Sequence, residues 1–283
     1  MTTLRIRDVS LYVKVVGHGH PLLLMHGGPG LDHTTLSSLE PLADRFTLIY
    51  YDHRCNGRSS GAVGSMTWDN LTADAEALRQ MLGFQEWAVL GHSFGGHVAL
   101  EYALRYPEHL SHLLLLDTAA DAWWVQHNAP EILAKRGYRD AAVRGARRFY
   151  TGQLTPREVL PTIWKFAGAY YYHLSLPGLL STFRIKRRPE AHVFAFGQLL
   201  TGWTVMDRLW EIDVPTLVLA GRHDFLFPPE HQAILADRLP YSRLEIIERA
   251  GHNAHDEQAA RVLETVRQFL ATAHRVDRLA TVR

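Results

Sequence analysis

The sequence predicts an α/β protein in which a mostly parallel eight-stranded sheet carries helices on both faces and an inserted helical cap. Short apolar runs alternate with helical patterns from residue 21 to 116, and the alternation resumes at residue 214. The intervening ~90 residues far exceed the dozen or so that one crossover needs. With 283 residues, 47% of them hydrophobic, the chain is long enough for one large domain with an insertion.

The predicted elements follow one another in the order expected for right-handed βαβ crossovers. Two strands at the start are joined by a turn at residues 8–10. The predicted strands cover 3–7, 11–16, 21–25, 46–51, 86–90, 111–116, 214–220 and 243–248. The predicted helices cover 34–43, 67–82, 94–106, 229–238 and 256–273, and the charged tail from Arg275 is expected to fray.

Two domains are expected, a core of residues 1–118 and 208–283 and a helical cap of residues 119–207. The cap segment is rich in aromatic residues, most of which we expect to hold it together. Some should line the substrate pocket, because binding clefts are largely apolar. Trp123 and Trp124 are the candidates for substrate contact from this segment.

Ser93 stands at a sharp turn between an apolar strand and a helix, in the segment Gly91-His92-Ser93-Phe94-Gly95. Such a turn strains the backbone and brings neighbouring chain close, so Gly91 and Gly95 are expected where a Cβ would clash. A small-residue turn without catalytic meaning is the alternative. The strand before and the helix after the motif favour Ser93 as a catalytic nucleophile.

A serine nucleophile needs a base to take its proton and an acid to orient that base. Asp224 follows the predicted strand 214–220, and His252 follows the next strand, so both lie where open α/β sheets place their functional loops. The alternatives are a helix N-cap for Asp224 and an ordinary loop histidine for His252. The order Ser93, Asp224, His252 at consecutive strand ends predicts a catalytic triad.

A loop with the sequence His26-Gly27-Gly28-Pro29-Gly30 follows the predicted strand 21–25. Acyl transfer builds negative charge on an oxygen, which backbone N–H groups can stabilise. Phe94, directly after the nucleophile, is one expected donor of this oxyanion hole. Gly28 is the second, because Pro29 has no N–H to give.

These residues resemble the α/β-hydrolase fold family, and more narrowly its proline iminopeptidase branch. The resemblance rests on His26-Gly27-Gly28-Pro29-Gly30, on Asp52-His53-Arg54-Cys55-Asn56-Gly57-Arg58-Ser59 and on Gly91-His92-Ser93-Phe94-Gly95-Gly96. In that branch the second segment usually reads D-Q-R-G-x-G-x-S, from which His53 and Cys55 depart. The resemblance covers residues 20–118 and 210–272 and implies the fold and the triad.

The resemblance also implies what a proline iminopeptidase would need, namely carboxylates that bind the free α-amine of the substrate. In that branch these acids lie in the cap and, in some members, directly after the triad aspartate. Here Phe225 follows Asp224, and the cap acids, among them Asp121, Glu131 and Glu190, stand in no evident Trp-Glu context. Phe225 and His26 are instead predicted to contact substrate.

Asp52 and Arg54 are predicted to brace the loop beside the oxyanion hole. The lone cysteine, Cys55, excludes an intrachain disulfide and is expected to pack in that loop. A metal site at His252, His255 and Asp256 is disfavoured, because zinc sites usually need further ligands in a defined context. No cofactor and no metal are therefore predicted.

The net charge of +1 indicates no global attraction to nucleic acid or to an acidic membrane surface. The short run Lys186-Arg187-Arg188 is read as a solvated cap face. No apolar run reaches the ~18 residues of a membrane span, and the interrupted N-terminus favours a cytoplasmic protein. The expected partner is a small-molecule substrate, and the sequence carries no indication of an oligomeric state.

The sequence thus predicts a serine hydrolase that acts through an acyl-enzyme on an ester, lactone or amide with a bulky apolar group. Proline iminopeptidase is the alternative activity. A carbon–carbon bond hydrolase uses the same triad, and a hydrolase-fold ligand-binding protein with slow turnover would retain it. Dehalogenases and epoxide hydrolases are disfavoured, because they use a carboxylate nucleophile where this chain has Ser93.

Overall fold

A computed structural model describes residues 2–175, 178 and 182–271. Its sheet has eight strands in the order β1-β2-β4-β3-β5-β6-β7-β8. The β1–β2 and β2–β4 pairs are antiparallel, and every pair from β4–β3 to β7–β8 is parallel. The strands are β1 (Thr2–Ile6), β2 (Val9–Val16), β3 (His20–Met25), β4 (Phe46–Tyr51), β5 (Trp87–His92), β6 (Leu110–Leu116), β7 (Thr216–Gly221) and β8 (Ser242–Ile247). The predicted fold class is confirmed.

The central strands are buried on both faces, as their continuous apolar sequences indicate. In β3, for example, Leu23 and Met25 pack into one hydrophobic core while Leu22 and Leu24 pack into a second core on the opposite face. This alternation follows from the two-residue period of a strand. The sheet is thereby fixed between two helical layers, and the carboxyl ends of its parallel strands meet at one edge.

The helices described are α1 (Trp68–Met81), α2 (Phe94–Arg105), α3 (Trp123–Lys135), α4 (Asp140–Tyr150), α5 (Pro156–Ile163), α6 (Pro189–Phe194), α7 (Pro229–Arg238), α8 (Ala254–Glu257) and α9 (Ala259–Leu270). The segment predicted as helix 34–43 is a 3-10 helix, His33–Asp44. The single helix predicted for 256–273 is wrong, because Gln258 has φ −128° and ψ 46° and separates α8 from α9. Residues 272–273 and the tail from Arg275 lie outside the described residues.

The helices α3 to α6 lie between β6 and β7, within residues 119–207. Their packing is largely aromatic: Phe149 and Tyr150 of α4 contact Phe166 and Phe196, with ring centroids 5.6–6.2 Å apart. Such contacts add to the free energy gained by apolar burial. The division into a core and a cap at residues 119 and 207 stays a prediction.

No helix among the described residues is both long and apolar enough to cross a membrane.

A buried ion-pair network fixes the loop that follows β4. The Arg54 side chain is fully buried, and its guanidinium donates to both carboxylate oxygens of Asp74 on α1, at 2.7 and 2.8 Å. It also donates to Asp8 in the β1–β2 turn at 2.8 Å. Arg54 therefore joins the loop, α1 and the sheet edge, because a planar guanidinium can serve several acceptors at once.

We predict that Asp74→Ala lowers the free energy of unfolding by about 3–5 kcal/mol, because it leaves the buried Arg54 charge without its main partner. The matched control is Asp69→Ala, which removes the surface partner of Arg105 from the same helix. That change should cost about 1 kcal/mol or less. Urea unfolding at neutral pH measures both values, and equal losses would contradict the assigned role of Arg54.

Candidate active site

Ser93 occupies the turn between β5 and α2 with φ 53° and ψ −119°, a conformation that is strained for a residue with a side chain. The two flanking glycines make the turn possible. A Cβ on Gly91 would lie 2.6 Å from Gly96 Cα, and one on Gly95 would lie 2.5 Å from the carbonyl carbon of Met25. Close backbone packing at Gly91 and Gly95 thus holds Ser93 at the carboxyl edge of the sheet.

Asp224 and His252 come together as the order of the sequence predicts. His252 Nδ1 lies 2.9 Å from Asp224 Oδ2, and both side chains are buried. The other carboxylate oxygen accepts a hydrogen bond from the Leu226 N–H at 2.8 Å. Because a carboxylate only accepts hydrogen bonds, the contact places the ring proton on Nδ1 and leaves Nε2 as the basic nitrogen.

The loop that carries His252 is held from two sides. His92, which precedes Ser93, approaches the His252 carbonyl with its Nε2 at 2.9 Å. From the segment between β6 and β7, the Tyr170 carbonyl accepts from the His252 N–H at 2.8 Å. A Cβ on Gly251 would lie 2.6 Å from that same Tyr170 carbonyl oxygen. Only glycine therefore allows this approach.

The glycine loop after β3 lies beside the Ser93 turn. Gly28 has φ 61°, and its carbonyl accepts from the Leu31 N–H at 2.8 Å, which closes a tight turn. Phe94 is the first residue of α2, so its N–H has no acceptor within the helix. Gly28, Ser93 and Phe94 line one cavity together. The residues predicted to form the oxyanion hole thus line the same cavity as Ser93.

The cavity at this edge has a volume of about 460 Å³ and contains both Ser93 and His252. Its walls are mostly apolar, and the segment between β6 and β7 supplies many of them: Val125, Phe149, Tyr150, Val159, Ile163, Trp164, Tyr170 and Phe196. Among the hydrogen bonds of the described residues, none joins the Ser93 hydroxyl to the His252 ring. The cavity is large enough for a bulky apolar group.

Charge on the cavity wall is uneven. Two cationic residues, Arg187 and Arg188, lie on the wall. Asp256 is the one acidic residue on the wall among the described residues. The Arg187 guanidinium donates to the backbone carbonyls of Ile185 and Thr182, and burial lowers the pKa of Arg187. The wall therefore offers a free amine few acidic partners.

The cap acids and several predicted contacts lie elsewhere. Asp121, Glu131 and Glu190 do not line this cavity, and Asp121 borders a second depression together with Trp123 and Trp124. Trp123 is exposed and stacks on His127, and Trp124 stacks on His231. Neither tryptophan lines the cavity that contains Ser93.

Phe225 and His26 lie behind the cavity wall. Phe225 is fully buried against the Tyr170 ring, and His26 Nε2 accepts from the His53 N–H at 3.2 Å. The substrate contacts predicted for Phe225, His26, Trp123 and Trp124 therefore do not match their observed positions.

Residues 20–259 match the family model described as alpha/beta hydrolase fold. The chain belongs to the α/β-hydrolase fold family. It is 26% identical over 285 residues to a proline iminopeptidase of Saccharolobus solfataricus, a match covering 94% of this chain and 90% of that protein. The predicted resemblance to the proline iminopeptidase branch is confirmed, and the protein is a hydrolase.

Two solved structures with similar sequences have the same fold. A proline iminopeptidase of Mycobacterium smegmatis superposes with a TM-score of 0.77 at 26% identity, covering 95% of this chain and 97% of that one. A thermophilic esterase from Thermogutta terrifontis has a TM-score of 0.73 at 27% identity, covering 95% and 98%. The similarity of this hydrolase thus extends to both peptidases and esterases.

Other residues around the site were missed by the sequence reasoning. Asn56 accepts from the Gly30 N–H and so holds the glycine loop directly. Asp52 accepts from the His33 N–H at 2.9 Å and from the Arg58 N–H at 2.8 Å. Asp52 thus holds the chain just after the glycine loop, whereas Arg54 contacts α1 and the β1–β2 turn.

Glu257, at the end of α8, was also missed. Its carboxylate accepts from the Gly251 N–H at 2.7 Å, and it accepts from the N–H groups of Tyr172 and His173 at 3.1 and 2.7 Å. One carboxylate thus joins the His252 loop to the segment between β6 and β7. An acid five residues after the predicted base was the available signal.

Asp117 follows β6 directly and is fully buried with φ 46°. Its carboxyl accepts from the Gly221 N–H at 2.7 Å and from the Ala254 N–H at 3.4 Å. Burial, and then the neighbouring charge of Asp224, raise the pKa of Asp117 well above its ordinary value of 3.8. Asp117 thus links the ends of β6 and β7 to the start of α8.

We predict that Glu257→Ala lowers kcat/KM on an ester substrate by about 10–100-fold, because small displacements of a catalytic group cost that much. The matched control, Glu264→Ala, removes an exposed carboxylate of α9 that pairs with Arg261. Steady-state kinetics on p-nitrophenyl butanoate measures both variants. Equal kcat/KM values for the two would show that Glu257 does not position the His252 loop.

We predict that Asp117→Asn stabilises the protein relative to wild type increasingly as pH rises above 3.8. From that pH the unfolded chain releases the Asp117 proton while the folded state retains it, so wild-type stability is lost as pH rises toward the folded pKa. The difference should grow by at most ~1.4 kcal/mol per pH unit. Urea unfolding between pH 4 and 9 measures it, with the exposed Asp237→Asn as control; a difference independent of pH would contradict the raised pKa.

Proposed function

We propose that this hydrolase is a serine hydrolase that cleaves esters, lactones or amides whose acyl group is bulky, apolar and free of an α-amine. The observation that carries the proposal is the Asp224–His252 pair at 2.9 Å, which shares a largely apolar cavity with Ser93. The same triad serves each of these substrate classes, and the cavity selects among them.

In the proposed reaction, the Ser93 hydroxyl oxygen attacks the substrate carbonyl carbon while His252 Nε2 accepts the hydroxyl proton. The N–H groups of Gly28 and Phe94 bind the oxyanion that forms, and Asp224 stabilises the imidazolium. His252 then protonates the leaving alcohol or amine as its bond to carbon breaks. Water repeats the sequence on the acyl-enzyme, releasing the acid and restoring Ser93.

Proline iminopeptidase is the second candidate, favoured by the relatives named above. Its substrate carries a cationic amine, which loses hydration in the cavity and needs a carboxylate in return. Asp256 is the acid available on the wall, and its side chain is 31% exposed. A partly solvated acid at the edge of an apolar cavity compensates a buried amine weakly.

We predict that Ser93→Ala lowers kcat by on the order of 10⁶, because the remaining site can bind and polarise the carbonyl but cannot attack it. Ser37 also lines the cavity and provides the matched control. Ser37→Ala should change kcat by less than about tenfold. Hydrolysis of p-nitrophenyl butanoate measures both, and a Ser93→Ala variant with a tenth of wild-type activity would contradict the nucleophile.

We predict that N-acetylprolyl p-nitroanilide has a kcat/KM about 10³-fold higher than prolyl p-nitroanilide. An unpaired cation costs several kcal/mol to desolvate, and ~1.4 kcal/mol corresponds to a factor of ten. The comparison is run at one pH for wild type and for Asp256→Asn. Should wild type prefer the free prolyl substrate and Asp256→Asn lose that preference, the peptidase activity would be the correct one.

A further inference from the structure

His97 lies on α2 one helical turn beyond Ser93, and its N–H donates to the Ser93 carbonyl at 3.3 Å. Four residues along a helix correspond to ~6 Å. The His97 side chain is only 3% exposed, yet it lines the cavity that contains the nucleophile. A polar ring thus stands in the wall of the cavity that an acyl group on Ser93 would occupy.

Both ring nitrogens of His97 lack a hydrogen-bond partner among the described residues. The surrounding groups are aromatic rings that cannot supply one well, with centroids 4.7 Å away for Trp203, 6.0 Å for Phe227 and 6.2 Å for Phe94. Buried polar atoms are nearly always paired, so two unpaired nitrogens on one cavity wall point to a polar group of the ligand.

His192, on the same cavity wall, is a buried histidine that does have a hydrogen-bond partner within the protein. It is also buried, but its Nε2 contacts the Phe149 carbonyl at 3.1 Å. A wall histidine that serves the fold therefore has a backbone partner here, and His97 does not.

We propose that His97 is a specificity-determining residue that hydrogen-bonds an oxygen on the acyl group of the substrate, a few carbons from the scissile carbonyl. This inference rests on the proposed function. The substrate class it names is an apolar acyl group with one internal oxo or hydroxyl oxygen.

The charge state of the ring fits this role. Burial lowers the pKa of His97 to about 3, with His231 and His252 acting in the same direction. The ring is neutral at neutral pH and offers one N–H donor and one acceptor nitrogen. A neutral imidazole of this kind can donate to a carbonyl oxygen and can either donate to or accept from a hydroxyl.

The test compares p-nitrophenyl hexanoate with the 3-oxo, 4-oxo and 5-oxohexanoate esters. In wild type, the kcat/KM of at least one oxo ester should exceed that of hexanoate by about tenfold, the usual range for one hydrogen bond. His97→Leu should abolish this preference while retaining Tm, and His97→Gln, which keeps a donor and an acceptor, should restore part of it. His192→Leu is the matched control and should leave the ratio of kcat/KM between each oxo ester and hexanoate unchanged.

Two outcomes separate this inference from the proposed function. Ser93-dependent hydrolysis of all four esters, with ratios that stay within twofold between wild type and His97→Leu, would overturn the role of His97 alone. If no ester is hydrolysed, the proposed function fails. The role of His97 is then tested by calorimetry, which measures the binding of hexanoate and of the oxohexanoates to wild type and to His97→Leu. Tighter binding of an oxo acid that His97→Leu removes supports it, and equal binding overturns it.

Discussion

Close backbone contact at the carboxyl edge of the sheet is the constraint on which the site depends. The Ser93 turn packs its Gly95 against the carbonyl end of β3, and Gly221 at the end of β7 packs against the Gly251 carbonyl. Chains approach this closely only where the residue that faces the neighbouring backbone carries no Cβ. The loops after β3, β5, β7 and β8 are thereby held in contact, although hundreds of residues separate some of them along the chain.

This packing explains how the strained backbone of Ser93 is maintained. A residue with a side chain at φ 53° and ψ −119° lies outside the favoured regions, so the surrounding structure must supply the stabilisation. The Ser93 N–H donates to the Leu116 carbonyl at 3.0 Å, and the Thr118 hydroxyl donates to the Ser93 carbonyl at 2.7 Å. Hydrogen bonds to both the N–H and the carbonyl of Ser93 thus fix the turn before any substrate binds, which is what preorganised catalysis requires.

The sequence was sufficient to predict the succession of strands and helices along the chain and the position of Ser93, Asp224 and His252 at strand ends, because these features follow from local patterns. The order of the strands within the sheet was not predicted. Apolar runs define strands, and parallel strands place their carboxyl ends together. Glycine spacing around Ser93 is local information as well. The start of β7 at Thr216 rather than residue 214 is a small departure, which the lack of an N–H on Pro215 explains.

The remaining site residues could not be predicted because their roles are set by contacts between distant segments. Glu257 acts on Tyr172 and His173, some 85 residues earlier, and Asp117 acts on Gly221 and Ala254. An acid has no periodic pattern that reveals such partners. The positions of Trp123 and Phe225 were predicted wrongly for a related reason. No sequence signal distinguishes an aromatic residue that lines the substrate cavity from one in the core, such as Phe225, or one at the second depression, such as Trp123.

The segment between β6 and β7 has two functions that are mechanically coupled. It supplies much of the cavity wall, and through the Tyr170 carbonyl and Glu257 it also holds the backbone around His252. A change in the wall that shifts residues 170–173 must therefore also shift the loop that carries His252. Substrate choice and catalytic geometry are linked in this hydrolase, so substitutions near Tyr170 should alter kcat together with KM, whereas those at His97, held on the rigid helix α2, can alter selectivity alone.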